Sequence, residues 1–112
     1  MTDAESTAVS EAALAAADHM LGDALSKLTL VEYGDYECPY CVRAEPLTQR
    51  LIETSGTGLR FVFRHFPLVE MHPHAELAAE AAEAAAAQGQ FWAMHHKLFT
   101  LDLTLLRGQV WT

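Results

Sequence analysis

Leu28-Thr29-Leu30-Val31-Glu32-Tyr33-Gly34-Asp35-Tyr36-Glu37-Cys38-Pro39-Tyr40-Cys41 is the stretch that decides the fold of this 112-residue chain. Its first six residues are β-rich and nearly continuous in apolar character, which predicts a strand covered on both faces in a parallel sheet. From Tyr40 the period changes. Ala44, Leu47, Leu51 and Ile52 recur on one side at helical spacing, so residues 40–54 read as a helix. Cys38 and Cys41, the only two cysteines, therefore sit where a strand hands over to a helix.

That position carries chemistry. An ordinary thiol is only a few per cent thiolate at neutral pH, whereas backbone N–H groups and the dipole at a helix start favour the anion. Cys38 is thus the expected nucleophile, and Cys41, one turn further in, the resolving thiol that lets the pair cycle between dithiol and disulfide. Pro39 suits the first helical position, where its missing N–H has no partner to lose. Tyr40 is expected to lie over the site as an apolar contact. Glu32 interrupts the apolar strand. It is either a solvated edge residue or a buried carboxylate that passes a proton to or from Cys41. Asp35 and Glu37 read as solvated acids that slightly oppose thiolate formation.

A Cys-x-x-Cys pair also serves as half of a zinc site, but no second pair or well-spaced Cys/His set completes four ligands, and the redox reading prevails. The six histidines do not change this. His72 and His74 flank Pro73, and His95 adjoins His96; neither spacing is the i, i+3 or i, i+4 of a helix-borne metal pair. They read as surface or half-buried histidines, with no metal and no cofactor.

The length suits one domain, and 51% hydrophobic residues suffice for a core. A net charge of −8 repels phosphate backbones and anionic lipid, which disfavours nucleic-acid and membrane-surface binding. The first basic residue is Lys27, so residues 1–26 lack the charged start of a secretory signal, and no apolar run reaches a membrane span. A cytoplasmic protein with reduced thiols is the expectation.

Along the chain, residues 5–21 read as an Ala-rich helix, part of an N-terminal extension over residues 1–21, ended by Gly22-Asp23. Pro46 falls well inside the helix that follows the cysteines and is expected to kink it; Gly56 is its C-cap. Residues 59–65 form the second predicted strand, with Phe61 and Phe63 on one face and Arg60 and Arg64 on the other. Strand, helix and strand make a right-handed βαβ redox unit over residues 28–65. Residues 73–88, opened by Pro73 and stopped by Gly89, and residues 90–100, with an apolar face of Phe91, Trp92, His95, Leu98 and Phe99, are helices. Together they occupy residues 73–100. Residues 101–112 are a divergent apolar tail.

The chain resembles the DsbA-like branch of the thioredoxin superfamily. The resemblance runs over residues 19–99 and rests on linked motifs: residues 30–41 quoted above, Arg60-Phe61-Val62-Phe63-Arg64-His65-Phe66-Pro67-Leu68, Ala78-Ala79-Glu80-Ala81-Ala82, and Gln88-Gly89-Gln90-Phe91-Trp92-Ala93-Met94-His95. It implies an α/β, thioredoxin-like fold with a helical insertion after the second strand, and disulfide exchange at Cys38. It also places Glu32, six residues before Cys38, where these proteins carry an acid beneath the active site. The resemblance departs after the insertion. Family members go on to a cis-proline loop, a β-hairpin and a closing helix, whereas all four prolines here fall elsewhere.

Two functions compete. One is a thiol-disulfide oxidoreductase acting on protein or small-molecule thiols and disulfides, weakened by the missing loop. The other is a non-catalytic dimerisation or interaction module derived from such a protein. Two strands leave sheet edges and the Phe61/Phe63 face exposed, so a symmetric homodimer is expected to complete the core.

Overall fold

In the computed structural model the described residues are 14 and 17–106. Three strands, β1 (His19–Gly22), β2 (Leu28–Gly34) and β3 (Leu59–His65), accompany three helices, α1 (Pro39–Ser55), α2 (Ala75–Ala86) and α3 (Phe91–Leu101). Short 3-10 turns at Gly56–Gly58 and Leu103–Leu106 follow α1 and α3. The chain divides into two compact units, one of Met1–Tyr33 with Thr48–Arg64, the other of Gly34–Leu47 with His65–Thr112. Among the described residues, no helix is long and apolar enough to cross a membrane.

In the first unit the strand order is β1-β3-β2. β1 runs antiparallel to β3 with His19 opposite Phe63 and Leu21 opposite Phe61. β2 and β3 run parallel: Arg60 Nε and Nη2 donate to Thr29 Oγ1 at 3.1 and 2.9 Å, and Arg64 Nη1 donates to Tyr33 Oη at 2.9 Å, so both contacts keep the same offset of 31 residues. An antiparallel pair would change that offset at every step. Helix α1 connects the two strands, which is the βαβ crossover the sequence predicts.

Three expectations change here. The predicted helix over residues 5–21 does not reach its end: Ala17 lies in a turn and His19–Gly22 is strand. Pairing with β3 satisfies backbone groups that local helix propensity cannot hold alone. The part of that helix in residues 5–13, 15 and 16, and residues 107–112 of the tail, lie outside the described residues. Second, β2 lies at an edge of the sheet rather than being covered on both faces; Leu28 is 66% exposed and Leu30 37%. Third, β3 is central, and Phe61, Val62 and Phe63 are all fully buried. No exposed aromatic face remains on it, and burial of each large side chain is worth about 1.5–3 kcal/mol.

The ends of β1 and β3 are pinned by specific chemistry. Arg64 Nε donates to Asp18 Oδ1 at 2.9 Å and Arg64 Nη2 to Oδ2 at 2.7 Å, a two-pronged pair that ties the start of β1 to β3. Gly22 ends β1 at φ 91°, and a Cβ there would stand 2.4 Å from the Leu59 carbonyl oxygen. Only glycine closes so tightly on the neighbouring strand.

In the second unit α2 lies against α3. Ala75, Ala78, Ala82 and Ala85 form the buried face of α2, and Phe91, His95, Leu98 and Phe99 that of α3. Small residues on one helix let the aromatic rings of the other approach its backbone. Gly89, at φ 72°, turns the chain between them, with Gln90 N–H donating to Ala85 O at 2.8 Å. Glu76, Glu80 and Glu83 stay exposed, as their spacing predicts.

Candidate active site

The turn that carries the cysteines is built from its own acids. Asp35 Oδ1 accepts from Glu37 N–H at 2.7 Å, and Asp35 O accepts from Cys38 N–H at 3.1 Å, which folds residues 35–38 into a tight turn. Cys38 O then accepts from Val42 N–H at 3.0 Å, the first bond of α1. Cys38 is therefore the N-cap, and Pro39 opens the helix as expected. Both cysteines are half-buried thiols, Cys41 one turn beyond Cys38. α1 runs through Pro46 without ending and stops before Gly56, whose φ of 54° is the expected left-handed cap.

Tyr40 is 76% exposed, with the Arg43 guanidinium 4.9 Å over its ring. Glu32 is half-buried in β2, and its Oε1 is shielded from solvent. Trp92 is half-buried, edge-on to Phe91 at 4.9 Å.

Asp35 and Glu37 are not solvated acids; they are buried, with 3% and 0% exposure. Asp35 Oδ2 accepts from Leu68 N–H at 2.9 Å and lies 2.7 Å from His72 Nδ1. Glu37 Oε1 accepts from His74 N–H at 2.7 Å, and Oε2 lies 3.0 Å from His74 Nδ1. The reading of His72 and His74 as surface or half-buried groups changes with it, since both are buried against these carboxylates. A buried acid needs donors, and the segment from Leu68 to His74 supplies two backbone N–H groups and two imidazoles. The two acids thus tie the loop before α2 to the cysteine turn. An Asp two residues before a backbone donor is a turn signal in sequence; its long-range partners leave none.

Behind the turn lies an aromatic and imidazole cluster. Tyr36 is buried, its Oη 2.8 Å from His95 Nδ1 and its ring 4.8 Å from that of Phe99. His95 is fully buried, against the expectation of a surface or half-buried group. Its Nε2 faces Glu45 Oε1 at 3.5 Å, and His96 Nδ1 lies 2.9 Å from Glu45 Oε2. Burial pushes the His95 pKa down, and its bond and charge interaction with Glu45 only partly offset this. For Glu45, burial pushes the pKa up, but the bonds and charges of His95 and His96 outweigh it and leave the carboxyl below its usual range.

A dithiol at the first turn of a helix that follows a parallel strand, with a two-helix insertion after the next strand, defines a thioredoxin-fold protein. A family model described as thioredoxin matches residues 15–102, and the chain belongs to that family. Among solved structures it is similar to a thioredoxin-like oxidoreductase from Silicibacter pomeroyi (36% identity, TM-score 0.66, 73% of this chain and 46% of that one). It is also similar to Pseudomonas aeruginosa DsbA2 (30% identity, TM-score 0.63, 72% of this chain and 46% of that one). A sequence relative is the Na(+)/H(+) antiporter NhaA 1 of Salinispora arenicola, 54% identical over 81 residues. That match covers 72% of this chain and 12% of the antiporter, so the chain spans about an eighth of that relative's length. The resemblance to DsbA-like proteins holds at the level of fold.

Proposed function

We propose that the chain is a thiol-disulfide oxidoreductase that works through Cys38 and Cys41. The observation that carries this reading is the placement of Cys38 at the N-cap of α1 with Cys41 one turn on. The Cys38 thiolate attacks one sulfur of a substrate disulfide, forming a mixed disulfide and releasing the other sulfur as a thiolate that takes up a proton. Cys41 then loses its proton and attacks Cys38 Sγ, which frees the second substrate thiol and leaves a Cys38–Cys41 disulfide. Two electrons have passed from the dithiol to the substrate, and a dithiol reductant, or two thiol molecules that end joined as a disulfide, returns them. Glu32 acts in this scheme as the proton acceptor for Cys41; its partial burial in an otherwise apolar strand supports that role. Pro39 and Tyr40 set the chemistry between the two sulfurs, and the exposed Tyr40 ring offers substrates an apolar contact.

Substrates are protein or small-molecule disulfides. In a reducing compartment such as the cytoplasm the pair rests as the dithiol and runs toward reduction. The test is trapping: Cys41→Ser should accumulate a mixed disulfide that Cys38→Ser cannot form, and a short iodoacetamide pulse should label Cys38 before Cys41. Preferential labelling of Cys41 would reverse the assignment.

A second reading, an interaction module without turnover, draws support from the antiporter relative, which carries a similar segment within a much longer chain. Insulin reduction with dithiothreitol separates the two. A rate no higher than that of Cys38→Ser favours the module.

A further inference from the structure

We infer that Glu45, His95 and His96 form a binding site for a divalent zinc ion, one helical turn below Cys41 on α1. This goes beyond disulfide exchange and does not depend on it.

Each residue offers one donor atom, and the three donors lie within 4.8 Å of one another. Two imidazoles and a carboxylate are the ligand set of three-coordinate protein sites for zinc, which leave a fourth position for water. Two donors about 2.0–2.1 Å from a tetrahedral ion stand roughly 3.3–3.4 Å apart. His95 Nε2 and Glu45 Oε1 are 3.5 Å apart, close to that separation.

The surroundings fit as well. Tyr36 Oη, 2.8 Å from His95 Nδ1, fixes the ring and turns its Nε2 toward Glu45. Metal-bound histidines almost always have such an outer partner on the second nitrogen. The rings of Phe91, Trp92 and Phe99 stand 5.6, 5.0 and 5.1 Å from that of His95 and make a dry wall. The His96 side chain is 40% exposed, so it gives an ion a way in and has room to rotate from Glu45 Oε2 onto the metal. The spacing rule that dismisses adjacent histidines considers ligands on one helix. Here α1 supplies the third, and His95 and His96 reach it through different ring nitrogens, Nε2 and Nδ1.

Glu45 follows Cys41 by four residues and shares its side of α1. An ion held there would clamp the dithiol helix to α3. Without it, the same carboxylate is held by the hydrogen bond to His96 Nδ1 and the 3.5 Å approach of His95 Nε2, and zinc binding decides between the two.

The experiment uses the full chain with Cys38→Ser and Cys41→Ser, so that the thiols take no metal. Calorimetric titration with Zn²⁺ at neutral pH should give one ion per chain. His96→Gln and Glu45→Gln should each lower affinity by more than about 100-fold, and Tyr36→Phe by about 10–100-fold, as loss of an outer partner does. Co²⁺ in place of zinc should show the absorption bands of a tetrahedral site, which His96→Gln abolishes. His96 is half-exposed, so that variant folds even where Glu45→Gln does not. Absence of saturable zinc binding in the thiol-free chain, or binding that survives His96→Gln unchanged, would overturn the proposal.

Discussion

Replacing Asp35 with asparagine keeps the shape of the side chain and turns one acceptor oxygen into a donor. Asp35 is 3% exposed, and its oxygens meet three groups: Glu37 N–H at 2.7 Å on Oδ1, and Leu68 N–H at 2.9 Å with His72 Nδ1 at 2.7 Å on Oδ2. If the amide oxygen stays on Glu37 N–H, the amide NH₂ faces Leu68 N–H, donor against donor. His72 can adapt by changing tautomer, with a weaker bond. A stranded buried donor costs about 1–3 kcal/mol and a weakened bond about 0.5–1.5 kcal/mol, so Asp35→Asn should destabilise the protein by about 2–4 kcal/mol. At about 4–8 °C per kcal/mol for a domain of this size, the midpoint should fall by about 8–30 °C. Urea melts of the reduced protein followed by far-ultraviolet circular dichroism measure this directly. Amide exchange at residues 68–75 should quicken in the same variant, because the loop loses its anchor. A loss below about 0.5 kcal/mol, the scatter of surface changes, would refute the claim that Asp35 holds the loop to the cysteine turn.

Glu32→Gln should slow resolution of the mixed disulfide more than the first attack; stopped-flow traces of both steps check this, and unchanged rates would make Glu32 a strand residue only. β2 is an edge strand that exposes Leu28, Leu30 and Tyr33, so we expect a homodimer paired along it. Sedimentation equilibrium over a dilution series should show association that Leu30→Lys abolishes, and a compact monomer with a concentration-independent melt would exclude it. With metal chelated, the depressed His95 pKa predicts an acid-sensitive fold. The unfolded chain binds this proton first, so the contribution of His95 is complete above its unfolded pKa of about 6.5 and is lost as pH falls through the lower folded value. Melts from neutral to mildly acidic pH should show that slope, and His95→Asn should flatten it.

Local signals located much of this protein. Cys38 and Cys41 at a strand-to-helix junction, Pro39 and Gly56 bounding α1, and the turn at Gly89 are all short-range, so their elements fall within a residue or two of where periodicity puts them. The dithiol's place at the start of α1 follows from those residues alone. What tertiary structure decided is the set of contacts between positions far apart in sequence. β1 arises in a stretch that favours helix because β3 offers it a ladder, and that pairing makes β3 the buried centre and leaves β2 at an edge. Asp35 and Glu37 look like solvated acids until His72 and His74, both 37 residues distant from their partner acids, bury against them. Glu45 gives no signal in its own helix; its meaning comes from His96, 51 residues away, and from His95, fixed by Tyr36 across 59 residues. A charged side chain announces its type in the sequence, but its burial depends on which donors the rest of the chain brings to it, and only the folded chain specifies those.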